Sequence, residues 1–169
     1  MDARRETDPA TNRTTTERTS DRELVVTRTV NAPARLVFEA WTRPELFRRW
    51  WVPKSLPMTL LSCELDARVG GTYRLVFEHP AAEQPMAFFG RYTEVTPHSR
   101  LVWTNEEGGE AGPVTTVTFE ETAGKTVVVV RDLYPSKQAL DEAIASGSTG
   151  ALGETFEQLE ALLATLRAS

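Results

Sequence analysis

The sequence predicts an α+β fold in which a curved antiparallel sheet of about seven strands wraps around a long C-terminal helix, with two short helices after the first strand. Three observations predict it. From Thr59 to Leu133, short segments rich in β-branched and aromatic residues follow one another with turn chemistry between them. Near the C-terminus Leu152, Phe156, Leu159, Leu163 and Leu166 recur at steps of four and three, which places them on one face of a helix. Between the first strand and this train lies a proline-punctuated stretch with helix-start signals.

Taken in order, Met1–Arg22 holds Thr, Arg, Asp and Glu and, after Met1, no large apolar residue, so a disordered tail is expected there. The remainder, 23–169, is expected to be one domain. The run ELVVTRTVN from Glu23 to Asn31 is the first strand. Asn31 can cap a helix and Pro33 suits its first turn, with Val37, Phe38 and Trp41 on the buried face. Thr42 and Glu45 have the spacing of a capping box, so a second helix is expected to start at Thr42 and run to about Trp51, before Pro53. The strands expected next are Thr59–Asp66, Thr72–Glu78, Met86–Val95, Arg100–Glu106, Val114–Glu121 and Thr126–Leu133. Their separators, among them Gly70-Gly71, Thr96-Pro97, Gly108-Gly109 and Ala123-Gly124, are short, which favours an antiparallel meander. Ser136–Ser146 reads as a short helix broken by Gly147-Ser148. The final helix, from about Thr149 to Arg167, would be roughly 27 Å long at ~1.5 Å per residue, long enough to cross a sheet. Glu154, Glu157 and Glu160 fall largely off its apolar stripe.

Composition narrows the function. The net charge is −5, and because the first 22 residues carry five arginines against five acids, all of it belongs to the remainder. Interspersed charge without a basic face argues against nucleic acid. No window approaches the ~18 apolar residues of a membrane span, and no secretory core opens the chain, so a cytoplasmic protein is expected. Cys63, alone and within an apolar run, is expected to be a structural thiol.

Chemistry-bearing motifs are scarce. His79 and His98 fall in turns without Cys, His or Asp at ligand spacing, so no metal or other cofactor is expected. Gly70-Gly71 lacks the context of a phosphate loop, and Gly147-Ser148-Thr149-Gly150 has no strand before it to make a nucleophile elbow. No catalytic residue is assigned. Asp132 ends the apolar strand Val127–Val130 and alternates with Val128 and Val130; on the concave face it would be a polar group inside an apolar cavity. The aromatic residues suggest such a cavity. Phe47, Trp50, Trp51 and Met58 cluster after the short helices, Tyr73, Leu75, Phe77, Tyr92, Trp103 and Phe119 are spread over the strands, and Phe156 lies on the last helix. With Asp132 they form the candidate ligand-binding set.

The string NAPARLVFEAWTRPELFRRWWVP resembles the opening of the SRPBCC superfamily, the START-like helix-grip proteins, and the branch named for the activator of the Hsp90 ATPase. The likeness continues through CELDARVGGTYRLVF, GRYTEVTPHSRLVWT, VTTVTFEETAGKTVVVVRD and TGALGETFEQLEALLATL, roughly Glu23 to Leu166. It implies a ligand-holding cup between sheet and C-terminal helix, with Trp50, Trp51 and Pro53 matching a WW-x-P element beside the entrance. Asp66, Arg68, Gly70 and Gly71 match a D-x-R-x-G-G turn read as structural. Asn105 stands where relatives often carry Trp, and Asp132 where many carry His. The expectation is a binding module for a small hydrophobic or amphipathic ligand. Alternatives are stimulation of a chaperone ATPase by protein contact, a second copy of the chain as partner, and a cyclase or hydrolase acting on a polyketide-like guest through Asp132, Tyr73 and Tyr92.

Overall fold

A computed structural model describes residues 14–106, 112–146 and 152–168. The start of the expected tail, the Gly108-Gly109 turn, the Gly147-Ser148 break and the side chain of Leu152 lie outside the described residues. The elements are β1 Thr15–Arg18, β2 Glu23–Val30, α1 Ala34–Thr42, α2 Pro44–Phe47, β3 Thr59–Leu65, β4 Thr72–Glu78, β5 Met86–Thr96, β6 Arg100–Thr104, β7 Val114–Thr122, β8 Lys125–Leu133, α3 Lys137–Ala145 and α4 Leu152–Ala168. The strands form one curved antiparallel sheet in the order β1-β2-β8-β7-β6-β5-β4-β3. Strands β3 to β8 are a meander, and β2 returns to pair with β8, Leu24 opposite Asp132 and Val26 opposite Val130. Between β7 and β8, Ala123 at φ 55° and Gly124 at φ 81° make the two-residue turn whose twist suits a hairpin.

Four expectations need correcting. The sheet has eight strands, because Thr15–Arg18, inside the stretch expected to be tail, pairs along β2. An edge strand is held by its backbone ladder and needs no apolar side chains, so hydrophobic pattern does not reveal it. Asn31 does not cap α1. The cap position is Pro33, and the Ala34 N–H donates instead to Glu121 Oε1 on β7 at 2.9 Å, a partner from across the fold. The capping box does not form either, since Thr42 Oγ1 donates back to the Phe38 carbonyl at 2.9 Å as the last residue of α1. Finally, α2 stops at Phe47 rather than Trp51. The chain turns there because Trp50 is swallowed by the core, its indole N–H donating to the Ala40 carbonyl at 2.9 Å.

The core lies between the concave face, α1 and α4. From α4 come Phe156, Leu159 and Leu163, all but inaccessible, packed with Val26, Val37 and Trp41. His98, expected as a solvated turn residue, is exposed but sets its ring edge-on to Phe38 at 5.6 Å.

Polar side chains of α4 fasten it in two places. Gln158 Nε2 donates to the carbonyls of Trp50 and Val52 at 2.9 and 2.8 Å, while its Oε1 accepts from the Lys54 N–H at 2.8 Å. One turn earlier Glu154 accepts from the Ser55 N–H and hydroxyl. On the sheet side, the buried Arg28 of β2 donates through Nη2 and Nε to Glu160 Oε1 at 2.5 and 3.1 Å. Glu160 therefore does not stay off the packed face as its helical position suggests. Glu160→Ala leaves the Arg28 guanidinium buried and uncompensated, and should cost about 3 kcal/mol in urea unfolding. Adding Arg28→Met should recover much of that loss.

Candidate functional site

Alternation along each strand, combined with the register, brings one row of side chains onto the concave face. Leu24 on β2 faces Asp132 on β8, Asp132 faces Thr115 on β7, Thr115 faces Trp103 on β6, and Trp103 faces Tyr92 on β5. Antiparallel partners share a face, so these five line one wall. A second wall comes from Tyr73 and Leu75 on β4 with Leu65 and Phe88 beside them, and the roof from Trp41, Phe47 and Trp51. Together they border a cavity of about 320 Å³. Val26, Val130, Asn105, Pro113 and Tyr134 complete its lining.

Gly90 makes the second wall possible. A methyl group there would sit 1.9 Å from the Thr104 carbonyl and 2.8 Å from the Tyr73 ring, so only glycine lets β5, β6 and Tyr73 approach this closely. The rings then touch as a group: Trp103 lies 6.0 Å from Trp41, 6.2 Å from Tyr73 and 6.3 Å from Tyr92. Phe47 stacks on Trp51 at 4.7 Å. Trp41 Nε1 is buried without a hydrogen-bond partner, and its ring lies 4.9 Å from that of Trp50 and 5.8 Å from that of Trp51.

One polar chain crosses this apolar surface. The Tyr73 hydroxyl lies 2.9 Å from the Thr104 carbonyl and 3.1 Å from Asn105 Oδ1. Asn105 Nδ2 donates to the Pro113 carbonyl at 2.9 Å and to Thr115 Oγ1 at 3.0 Å. The Thr115 hydroxyl then donates to Asp132 Oδ1 at 2.5 Å. Burial pushes the Asp132 carboxyl above the ordinary carboxylate range, and the Thr115 hydrogen bond offsets only part of that. Tyr134 is pushed up to about 12, first by burial and then by the Asp132 charge. Tyr92 is raised by burial, with Cys63 and Asp66 adding to it. Cys63 is half-buried and burial pushes its thiol up to about 11, as suits a structural rather than a reactive cysteine.

Of the sequence-predicted set, Phe47, Trp51, Tyr73, Leu75, Tyr92, Trp103 and Asp132 line the cavity. Trp50, Phe77, Phe119 and Phe156 do not; they are buried in the core, and Met58 packs against it part-buried. Among the described residues none from α4 borders the cavity, because the Phe156 side of that helix is already occupied by packing on Trp41, 6.3 Å away. The expected position between sheet and C-terminal helix therefore shifts toward α1, α2 and the Trp51 loop. Reasoning from sequence passed over Leu24, Val26 and Thr115. Pairing the first strand with the last in register would have found the first two, and a threonine sharing a face with Val117 and Phe119 signals the third.

Among the described residues the lining contains no lysine, arginine, histidine, serine or cysteine. Among the described residues no group of His, Cys, Asp and Glu could hold a metal ion, and no helix is long and apolar enough to cross a membrane. The D-x-R-x-G-G turn is a structural element, with Arg68 Nε donating to the Asp66 carboxylate at 2.9 Å and the Gly71 N–H donating to the Arg68 carbonyl at 2.8 Å.

A curved antiparallel sheet closed over an apolar cavity by helices, with a C-terminal helix across its concave face, defines a START-like helix-grip protein. The chain belongs to the Activator of Hsp90 ATPase homolog 1-like protein family, whose profile matches residues 31–164. Solved structures agree. A protein of Rhodobacter sphaeroides is 22% identical with a TM-score of 0.82, over 90% of this chain and 99% of that one. One from Nitrosomonas europaea is 26% identical with a TM-score of 0.78, over 89% and 99%. One from Staphylococcus epidermidis is 28% identical with a TM-score of 0.75, over 89% and 94%. No curated protein matches the sequence significantly.

The raised Asp132 carboxyl gives a signed pH dependence. Its unfolded value is ~3.9, so the stability from keeping it neutral is full below that value and is lost as pH rises through the higher folded value. Asp132→Asn keeps an acceptor for Thr115 without the charge. Its melting temperature should exceed wild type at neutral pH, with the gap closing toward pH ~4.

Proposed function

We propose that this protein binds a small hydrophobic or amphipathic molecule in the cavity, its apolar part against the tryptophan and tyrosine rings and its polar end against the Asp132 wall. The observation that carries this reading is the pairing of a mostly apolar cavity of about 320 Å³ with one hydrogen-bonded polar chain. Ligand sites have this composition: mostly apolar lining, with few polar groups to fix orientation. At the ~30 Å³ that a water molecule occupies, the space suits a guest on the order of ten non-hydrogen atoms or a few more, one or two rings. Family membership supports a ligand-holding or co-chaperone type of fold. The chaperone reading draws only on the family's name and gives the cavity no part to play.

Native mass spectrometry of the protein after incubation with cell extract should show a stoichiometric small-molecule adduct. Val130→Phe places a ring in the cavity from β8 and should lose the adduct while remaining folded. A clean apo mass for wild type, or an adduct that survives in folded Val130→Phe, would contradict the proposal.

A further inference from the structure

We propose that the guest is a lipophilic organic cation, an ammonium group carried on an apolar body of one or two rings; this rests on the ligand-binding reading above. The direction of the hydrogen bonds is what points to it. The carbonyl of Pro113 only accepts, so the nitrogen of Asn105 must face it, and the second N–H of that amide goes to Thr115 Oγ1. With Oγ1 accepting, the single Thr115 proton goes to Asp132 Oδ1. Tyr73, at the other end, is bound to Thr104 and Asn105. The donors of the Tyr73–Asn105–Thr115 chain are thus spent within the protein, and the chain ends on a carboxyl whose Oδ2 has no hydrogen-bond partner among the described residues. What it offers a guest is an acceptor. Hydrogen bonds aligned this way polarise one another and favour negative charge at the end that accepts.

Among the described residues no cationic side chain lines the cavity to balance that charge or to receive an anionic guest. An ammonium would supply the missing partner, in a charge-assisted hydrogen bond. The rest of the lining is chemically matched, because Trp41, Trp51, Trp103, Tyr73 and Tyr92 present aromatic rings whose quadrupoles attract cations within about 6 Å. Asp132 and Trp103 flank Thr115 on adjacent strands, so their Cα atoms stand roughly 10 Å apart, room for an ammonium between carboxylate and indole. The hydroxyls of Tyr92 and Tyr134 can donate or accept and so do not discriminate. A net charge of −5 also favours the approach of cations.

The test is calorimetric titration of the full chain with three probes of one shape: naphthylmethylamine, naphthylmethanol and naphthoate. The amine should bind about ten-fold or more tightly than the alcohol, and the naphthoate weakest. In Asp132→Asn the amine should fall to the affinity of the alcohol, while the alcohol changes by less than about three-fold. An amine no tighter than the alcohol, a preference for naphthoate, or an amine preference that survives Asp132→Asn would overturn the proposal. If wild type binds none of the three, the ligand-binding reading itself fails and the cation falls with it.

Discussion

A helix laid across a curved sheet covers only part of its hollow, and whatever the helix leaves uncovered must be filled, hydrated or kept for a guest. In this protein α4 is committed to one region. Phe156, Leu159 and Leu163 seal it on the core, Glu160 ties it to Arg28 on β2, and Gln158 with Glu154 holds the loop from Trp50 to Ser55. Because that loop is held by its backbone, Trp51 is delivered to the cavity roof and not to solvent. The helix thus shapes the site from behind, packing on Trp41 of the roof through Phe156 and holding the Trp51 loop through its polar ties.

The other half of the cavity belongs to the sheet. Strand pairing alone aligns Leu24, Asp132, Thr115, Trp103 and Tyr92, and the missing side chain at Gly90 lets Tyr73 close in. The same geometry that makes the surface apolar also threads the Tyr73–Asn105–Thr115–Asp132 chain across it. A buried polar group without a partner is costly, so three of these four have their needs met within the protein. Asp132 is the exception, with one oxygen bonded and the carboxyl raised by burial. A fold stabilised only for its own sake would place an apolar side chain there.

Much of this was legible in the residues. The strand train, the apolar stripe of α4 and the position of Asp132 followed from periodicity, since each strand and helix buries one face. Phe47, Trp51, Tyr73, Tyr92 and Trp103 were found among the aromatic residues, but so were Trp50, Phe77, Phe119 and Phe156, because sequence cannot distinguish a ring that faces a void from one that faces another ring. The capping box at Thr42 misled because Thr42 Oγ1 found a closer acceptor in Phe38. Strand β1 was invisible because its ladder uses backbone groups that every residue carries. Glu160 looked solvated because its partner, Arg28, is 132 residues away in sequence.

The central claim is that the cavity, and no other surface, receives the guest. Amide and indole NMR shifts on titration with naphthylmethanol test it most directly. Shifts are expected to be confined to Leu24, Tyr73, Thr115 and Asp132 and to the indole signals of Trp41, Trp51 and Trp103. Shifts gathered instead on the outward face of the sheet or along the exposed side of α4, with these residues silent, would contradict it.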